Sequence, residues 1–261
     1  MRARLVVPLV GVLLALGTPS SPVTHGVMIP THRITTGATE DSLNWSGYAF
    51  PRPTGHRITR VTSTFVVPTV SGTTPGFGST WAGIGGFSSQ DLIQAGVEED
   101  YINGLGPTYN AWFEVLPQSE TPIAGCSGDP KCTVRPGERV TVDIHTVGPL
   151  VRKQHWEIDI IDAGHWRFRK GIVYVSTYSS AEWILEAPTV GGQTVLPMMH
   201  TARFDPNNTS SLDLGPSKPI GARSHVRLTM NTLEGVPSAL DRDGDGFNAC
   251  AYATSCATPS S

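Results

Sequence analysis

The chain contains no G-x-S-x-G elbow, no H-E-x-x-H and no phosphate-binding P-loop. The short signatures of many serine hydrolases, zinc peptidases and nucleotide enzymes are therefore missing. Charge is scarce: 16% of the 261 residues are charged and the net charge is −3, too mild a balance to mark nucleic acid or a membrane surface as a partner. No stretch keeps a helical period, no segment repeats, and after the first twenty residues no long apolar run follows, so nothing later in the chain reads as a membrane span. Cysteine is limited to four residues. Their spacing is wrong for a zinc site and no histidine lies near either pair. The eight histidines are scattered without ligand spacing; His155 and His165 flank an expected hairpin and read as solvated.

What is abundant is glycine (28) and proline (21), with 39% hydrophobic residues. That composition suits an all-β domain with many turns and a full core. The chain opens with Arg2 and Arg4, then an apolar run from Leu5 to Leu16, then small residues. This is the pattern of a secretory signal peptide, expected over residues 1–24, and the run is too short to span a membrane. Removing it leaves 17 basic against 22 acidic residues, a net −5. Residues 25–41 are polar and turn-rich and read as a linker or short propeptide. Residues 42–261 form the expected domain, secreted and free of the membrane.

Within that domain the dominant period is two. From Ile58 to Pro68, Val61, Ser63, Phe65 and Val67 point one way while Thr62, Thr64 and Val66 point the other, and β-branched residues dominate. A short strand with glycines covers Thr80–Gly86, where the missing side chains predict close approach of a backbone or a ligand. Further strands are expected at 92–97, 109–116, 139–147, 155–161, 172–176, 181–186, 201–204, 225–230 and 247–253. Many short strands at this spacing argue a sandwich or barrel. Cys126 and Cys132 are close in sequence, as are Cys250 and Cys256. Of the three pairings that four cysteines allow, the two local loops are the simplest, and loops this small pin turns and do not hold a fold together. Asp241-Arg242-Asp243-Gly244-Asp245-Gly246 imitates the start of a calcium loop, but position twelve is Tyr252 where a bidentate Glu is needed; an Asp/Gly turn explains it better. Asn44-Trp45-Ser46 and Asn207-Asn208-Thr209 satisfy the glycosylation rule, a triplet frequent by chance.

Three strands carry residues able to do chemistry. In Ser180–Glu186, Glu182, Ile184 and Glu186 share one face and Trp183 and Leu185 the other. Two acids in an aromatic, apolar strand need an explanation, because an unpaired buried charge is costly. In Gln90–Val97, Gln94 shares a face with Leu92 and Gly96, and a mid-strand amide between apolar neighbours needs partners. In Tyr109–Val115, Asn110, Trp112 and Glu114 line one face. An aromatic platform beside an amide and a carboxylate is what a substrate groove needs, although a strand with one face in water looks the same locally.

Four segments in this order resemble the glutamic peptidases, or eqolisins, of peptidase family G1. They are Asn44-Trp45-Ser46-Gly47; Trp81-Ala82-Gly83-Ile84-Gly85-Gly86; Leu92–Val97 with Tyr109–Glu114; and Ala181–Glu186. The resemblance implies a sandwich of two curved antiparallel sheets, of the concanavalin A-like or jelly-roll type, with the active site on a concave face. It implies a catalytic pair at Gln94 and Glu186, the second acid of its strand and not Glu182. Trp81, Asn110, Trp112 and Glu114 fall on its groove positions. In two places this chain departs from fungal members: Gly85 and Asn110 stand where they carry Asp.

The implied chemistry is water attack on a peptide bond. Glu186 serves as general base, Gln94 stabilises the oxyanion, and no cofactor, metal or covalent intermediate is required. A Glu titrates near 4.3 and a Gln not at all, so such a pair can work in acid. The expected protein is a monomeric, secreted, acid-acting endopeptidase whose partner is a polypeptide substrate. The competing readings are a carbohydrate-binding sandwich that stacks sugars on its tryptophans and a glycan hydrolase using Glu114 and Glu186.

Overall fold

The computed structural model describes residues 23–31, 39–205, 209–230 and 234–260. The expected signal peptide lies outside them except for Val23 and Thr24, as do Asn207 and Asn208. The first strands are β1 (Val23–Thr24), β2 (Thr39–Ser42), β3 (Trp45–Pro51) and β4 (Ile58–Val66). β5 (Ser79–Gly85), β6 (Leu92–Ile102), β7 (Gly106–Val115) and β8 (Thr121–Pro122) follow. Next come β9 (Arg139–Val147), β10 (Gln154–Asp162), β11 (Trp166–Tyr174), β12 (Ser180–Glu186) and β13 (Thr189–Val190). The chain closes with β14 (Ala202–Phe204), β15 (Thr209–Leu212), β16 (Lys218–Pro219), β17 (Val226–Met230), β18 (Gly235–Pro237) and β19 (Phe247–Ala251). Among the described residues the one helical turn is a 3₁₀ turn at Ile220–Ala222.

The strands form a sandwich. The front sheet runs β7-β6-β5-β12-β3-β17, antiparallel throughout, with β2 added parallel to β17. The back sheet runs β11-β10-β9-β4-β14-β19-β18. The two join where Met230 of β17 pairs with Gly235 of β18. β12 lies in the middle of the front sheet, hydrogen-bonded on both sides, which is why all seven of its residues are buried and no face of it meets water.

Period-two alternation decides what each face buries. The side chains of Trp183, Leu185, Ala82, Ile84, Ile93 and Ala95 on the front sheet pack with Val140, Val142, Ile158 and Ile160 of the back sheet in one core. Each fully buried large side chain is worth roughly 1.5–3 kcal/mol. Trp183 also ties the sheets together, donating its indole N–H to the Thr62 carbonyl of β4 at 2.8 Å. The opposite face of the front sheet holds a second, smaller cluster of Trp45, Trp81, Trp112, Leu92 and Ile184. That face forms the groove.

The cysteines pair locally, Cys126 with Cys132 and Cys250 with Cys256. Most of the expected strands fall where the alternation places them, β3 and several strands of two to four residues come in addition, and two expected strands differ clearly in extent. β6 runs on to Ile102, through Glu98, Glu99 and Asp100, which are all buried; three successive acids resemble a solvated strand end, yet here both sides of the strand are covered. β11 begins at Trp166 and not Ile172. Its early residues Arg167, Arg169 and Lys170 face solvent and mask the pattern.

Candidate active site

β6 and β7 pair so that Gln94 lies opposite Glu114, Gly96 opposite Trp112 and Glu98 opposite Asn110. One face of the hairpin therefore carries amides, acids and an indole in two adjacent rows. Gln94, Trp112 and Glu114 are buried, while Asn110 is exposed at the rim. The Gln94 side-chain amide donates to Glu114 Oε2 at 2.7 Å, which fixes its orientation. Burial pushes the Glu114 carboxyl up to about 8, with the nearby His25 charge and the Gln94 hydrogen bond offsetting only part. Trp112 is anchored by its own N–H to Ser79 Oγ at 3.1 Å.

β5 lies between β6 and β12 and supplies Trp81. Its indole has room because the neighbouring strand carries Gly96: a Cβ there would sit 2.5 Å from the Trp81 Cβ and 2.3 Å from the Thr80 carbonyl. Trp81 packs edge-on against Trp45, with ring centroids 5.0 Å apart, and donates to Glu186 Oε2 at 2.8 Å. Gly85, one of the two departures from the fungal pattern, has φ +95° and would place a Cβ 2.3 Å from the Asp91 carbonyl. An Asp does not fit this backbone.

Glu186 closes β12 and is fully buried. Donors surround it. Oε2 accepts from Trp81 and from His25 Nδ1 at 3.3 Å. Oε1 accepts from the backbone N–H of Gly26 at 3.1 Å and the side-chain amide of Asn44 at 3.4 Å. Each of the two carboxyl oxygens therefore has two donors aimed at it. Asn44 is 2% exposed and its side chain also bonds to Val27, Ile29 and the Ser42 hydroxyl, so the amide of the Asn44-Trp45-Ser46 triplet is engaged inside the fold.

The groove is filled by the chain itself. Residues 23–31, partly within the stretch expected as a linker, run across the front sheet. β1 pairs antiparallel with β13, and Met28 N donates to the Gly86 carbonyl at 3.1 Å. Between these anchors the His25–Gly26 peptide lies across Gln94 and Glu186: Gln94 Nε2 donates to the His25 carbonyl at 3.2 Å and Gly26 N–H donates to Glu186 at 3.1 Å. The His25 ring is fully buried and stacks on Trp112 at 3.7 Å and 6°. Its Nε2 lies 3.0 Å from Glu120 Oε2 and 3.9 Å from Glu98 Oε1. Burial works against its charge, but hydrogen bonds to Glu120 and Glu186 outweigh it and push His25 up to about 10.

An open cleft lies elsewhere, a space of about 750 Å³ between Phe50–Thr54 and Ala222–Val226. Its lining has no carboxylate, so it lacks the chemistry of the groove. Among the described residues, four groups of carboxylates and imidazoles stand close enough to offer three ligand atoms each: His25, Glu98 and Glu120; Glu138, Asp162 and His165; His145, Glu157 and Asp159; and Asp205, Asp241 and Asp245. The first is taken up by the His25 hydrogen bonds. In the last, Asp241 Oδ1 accepts the backbone N–H groups of Gly244, Asp245 and Gly246, the bonding of a tight Asp/Gly turn.

The structure thus brings Gln94, Glu186, Trp81, Trp112 and Glu114 into one groove and leaves Asn110 at its edge. Sequence reasoning missed His25, Glu98 and Glu120. His25 sits in a polar stretch with no periodicity, and Glu98 lies just past the end of the strand expected at 92–97.

The family model described as "Peptidase A4 family" matches residues 43–214. Among solved structures, scytalido-glutamic peptidase with a transition state analog inhibitor is 19% identical, covering 80% of this chain and 98% of that one, with a TM-score of 0.59. The same peptidase with a peptide-based transition state analog gives 0.60 at the same identity and coverage. SCP-B, a member of the eqolisin family in complex with the tripeptide Ala-Ile-His, is 18% identical over 80% and 98%, with a TM-score of 0.58. At these identities the likeness carries the fold. No curated protein matches the chain.

Proposed function

Because this chain belongs to the Peptidase A4 family and is a glutamic endopeptidase, we propose that Gln94 and Glu186 are its catalytic pair and that it acts in acid outside the cell. One observation carries the assignment: a peptide bond, His25–Gly26, lies across both side chains, its carbonyl on Gln94 and its N–H on Glu186. Glu186 takes a proton from water as the water attacks the carbonyl carbon. A positioned general base is worth about 10²–10⁴-fold. Gln94 Nε2 donates to the developing oxyanion, a contribution of roughly 3–4 kcal/mol for one donor. Gln94 Oε1 is buried without a hydrogen-bond partner in the groove; such an acceptor calls for a donor, and the attacking water can be that donor. The protonated Glu186 then gives its proton to the leaving nitrogen.

Support for acid action comes from the groove's other acids. Burial, ahead of every other cause, raises Asp100 to about 7, Glu114 to about 8 and Glu98 to about 9. These groups are neutral in acid, where their burial costs least. Support for export is the basic and apolar start of the chain, and the disulfides suit an oxidising compartment. The working unit is proposed to be a monomer built on the expected domain of residues 42–261, freed of the signal peptide. A denatured protein substrate assayed from pH 2 to 7 tests the reading. Wild type should cleave in the acid half and resist pepstatin-type inhibition, while Glu186→Gln and Gln94→Ala stay folded and lose activity by orders of magnitude. Glycans run beside it as a second substrate should be untouched; binding or cleavage of glycans with no proteolysis would overturn the peptidase assignment of the groove.

A further inference from the structure

The contacts of His25 describe more than the dyad. Its ring lies flat on Trp112, and its two nitrogens reach carboxylates on opposite sides, Glu186 and Glu120. Glu98 stands behind Glu120, 3.9 Å from the same nitrogen. The segment that bears His25 is held in line on both sides, by β1 pairing with β13 before it and by Met28 on Gly86 after it. With the His25 carbonyl on Gln94 and the next N–H on Glu186, the His25 side chain occupies the position immediately before the bond to be cut.

We infer that Trp112 and Glu120, backed by Glu98, form the subsite for the side chain preceding the scissile bond, that this subsite selects protonated histidine, and that His25–Gly26 is its first substrate. The inference rests on the Gln94–Glu186 reading. The shape and the donors both argue for an imidazolium. A phenylalanine would stack on Trp112 but would leave Glu120 without its hydrogen bond, and a site built to bond a donor rejects analogues that lack one. A lysine would bring charge without the plane that matches the indole. Leucine would bring neither. The groups that face the ring are Glu98 from β6, Trp112 from β7, Glu120 from the turn after β7 and Glu186 from β12. In their presence the imidazole holds its proton, up to about 10.

The self-cleavage balances with water alone. The water oxygen bonds to the His25 carbonyl carbon and the bond to Gly26 N breaks. One water proton passes through Glu186 to that nitrogen and the other stays on the new His25 carboxyl group. While seated, the imidazole shares Glu186 Oε2 with Trp81, so the segment is a slow substrate and obstructs the groove until it is cut.

The test is a set of peptides of sequence Val-Thr-X-Gly-Val-Met, with X as His, Lys, Phe or Leu, assayed at pH 4 with the full-length protein. Every peptide competes with residues 23–31 alike, so the ratios do not depend on how many grooves remain filled. The His peptide should show a kcat/KM at least about tenfold above the others, and Glu120→Gln should erase that preference. Mass spectrometry of the acid-incubated protein should find a new amino terminus at Gly26, absent in Glu186→Gln and slowed in His25→Leu. If wild type cuts all four peptides equally while Glu186→Gln is inactive, the subsite inference falls and the dyad stands. If Glu186→Gln still cleaves, the dyad falls and the inference falls with it. The peptide series needs no variant, so a Glu120→Gln protein that fails to fold leaves the inference open to refutation.

Discussion

Glu182 and Glu186 project from the same face of β12, on either side of Ile184, and both are fully buried. Their surroundings make them different reagents. At the Glu182 end, burial pushes the carboxyl well above the usual range, and Ser180 and the backbone of Gly85 and Phe87 offset only part of it. That acid is kept as a neutral filler. At the Glu186 end, donors converge from three segments: β5 through Trp81, the residue before β3 through Asn44, and the N-terminal segment through His25 and Gly26. The strand, the face and the burial are shared. What differs is which other segments reach each carboxyl: donors ring Glu186 and not Glu182.

The most direct way to break this contrast is to neutralise each acid in turn. Glu186→Gln should lower kcat by about 10²–10⁴-fold or more, whereas Glu182→Gln, which replaces one neutral group by another of the same shape, should keep activity within about threefold by the same scale. A matched loss in both would show that the two ends are equivalent. Next comes the oxyanion side. Gln94→Ala should cost roughly 10²–10³ in kcat, with KM for a protein substrate little changed; a rise in KM alone would make Gln94 a binding residue.

A smaller effect separates the ends through pH. The raised carboxyls at Asp100, Glu114 and Glu98 are protonated in the folded state at pH values where the unfolded chain has lost its protons. Their contribution to stability is full below about 4 and is lost as pH rises through about 7, 8 and 9 in turn. His25 acts in the same direction: its docking stabilises fully below its free value of 6.5 and is lost as pH rises through about 10. The melting temperature should therefore be highest near pH 4–5 and fall by several degrees by about pH 9, and Glu182→Gln should flatten that fall. A protein more stable at pH 9 than at pH 5 would contradict the neutral-filler account. The smallest effect on activity belongs to the disulfides. Replacing Cys250 and Cys256 by Ser should cost about 2 kcal/mol or less for so short a loop and leave kcat unchanged in acid, since neither bond touches the groove.

The comparison also marks what could be read from the chain. The alternation in Ser180–Glu186 and Tyr109–Val115 places Glu186, Trp112 and Glu114 on defined faces without any knowledge of the fold. β9 falls on Arg139–Val147 as expected, because one of its faces is apolar and the other polar. Residues outside that alternation were not legible. His25 lies in a segment with no period, and its importance comes from landing on Trp112, 87 positions further along the chain. Glu98, Glu99 and Asp100 fall beyond the strand expected at 92–97, and nothing in the sequence says that the strand continues through them as a buried element.

The sequence by itself determined an all-β chain, the direction of each side chain along its strands, two local cysteine loops and a set of motifs shared with one peptidase family. These depend on neighbours one to six residues apart, where geometry is set by backbone pleat and chain length. Only the tertiary structure decided which of two like acids is ringed by donors, which face of the front sheet becomes a groove and which segment fills it. Those properties depend on distances between atoms far apart in sequence, and a carboxyl group's chemistry is set by the dipoles and charges within a few ångströms of it, whatever strand they come from.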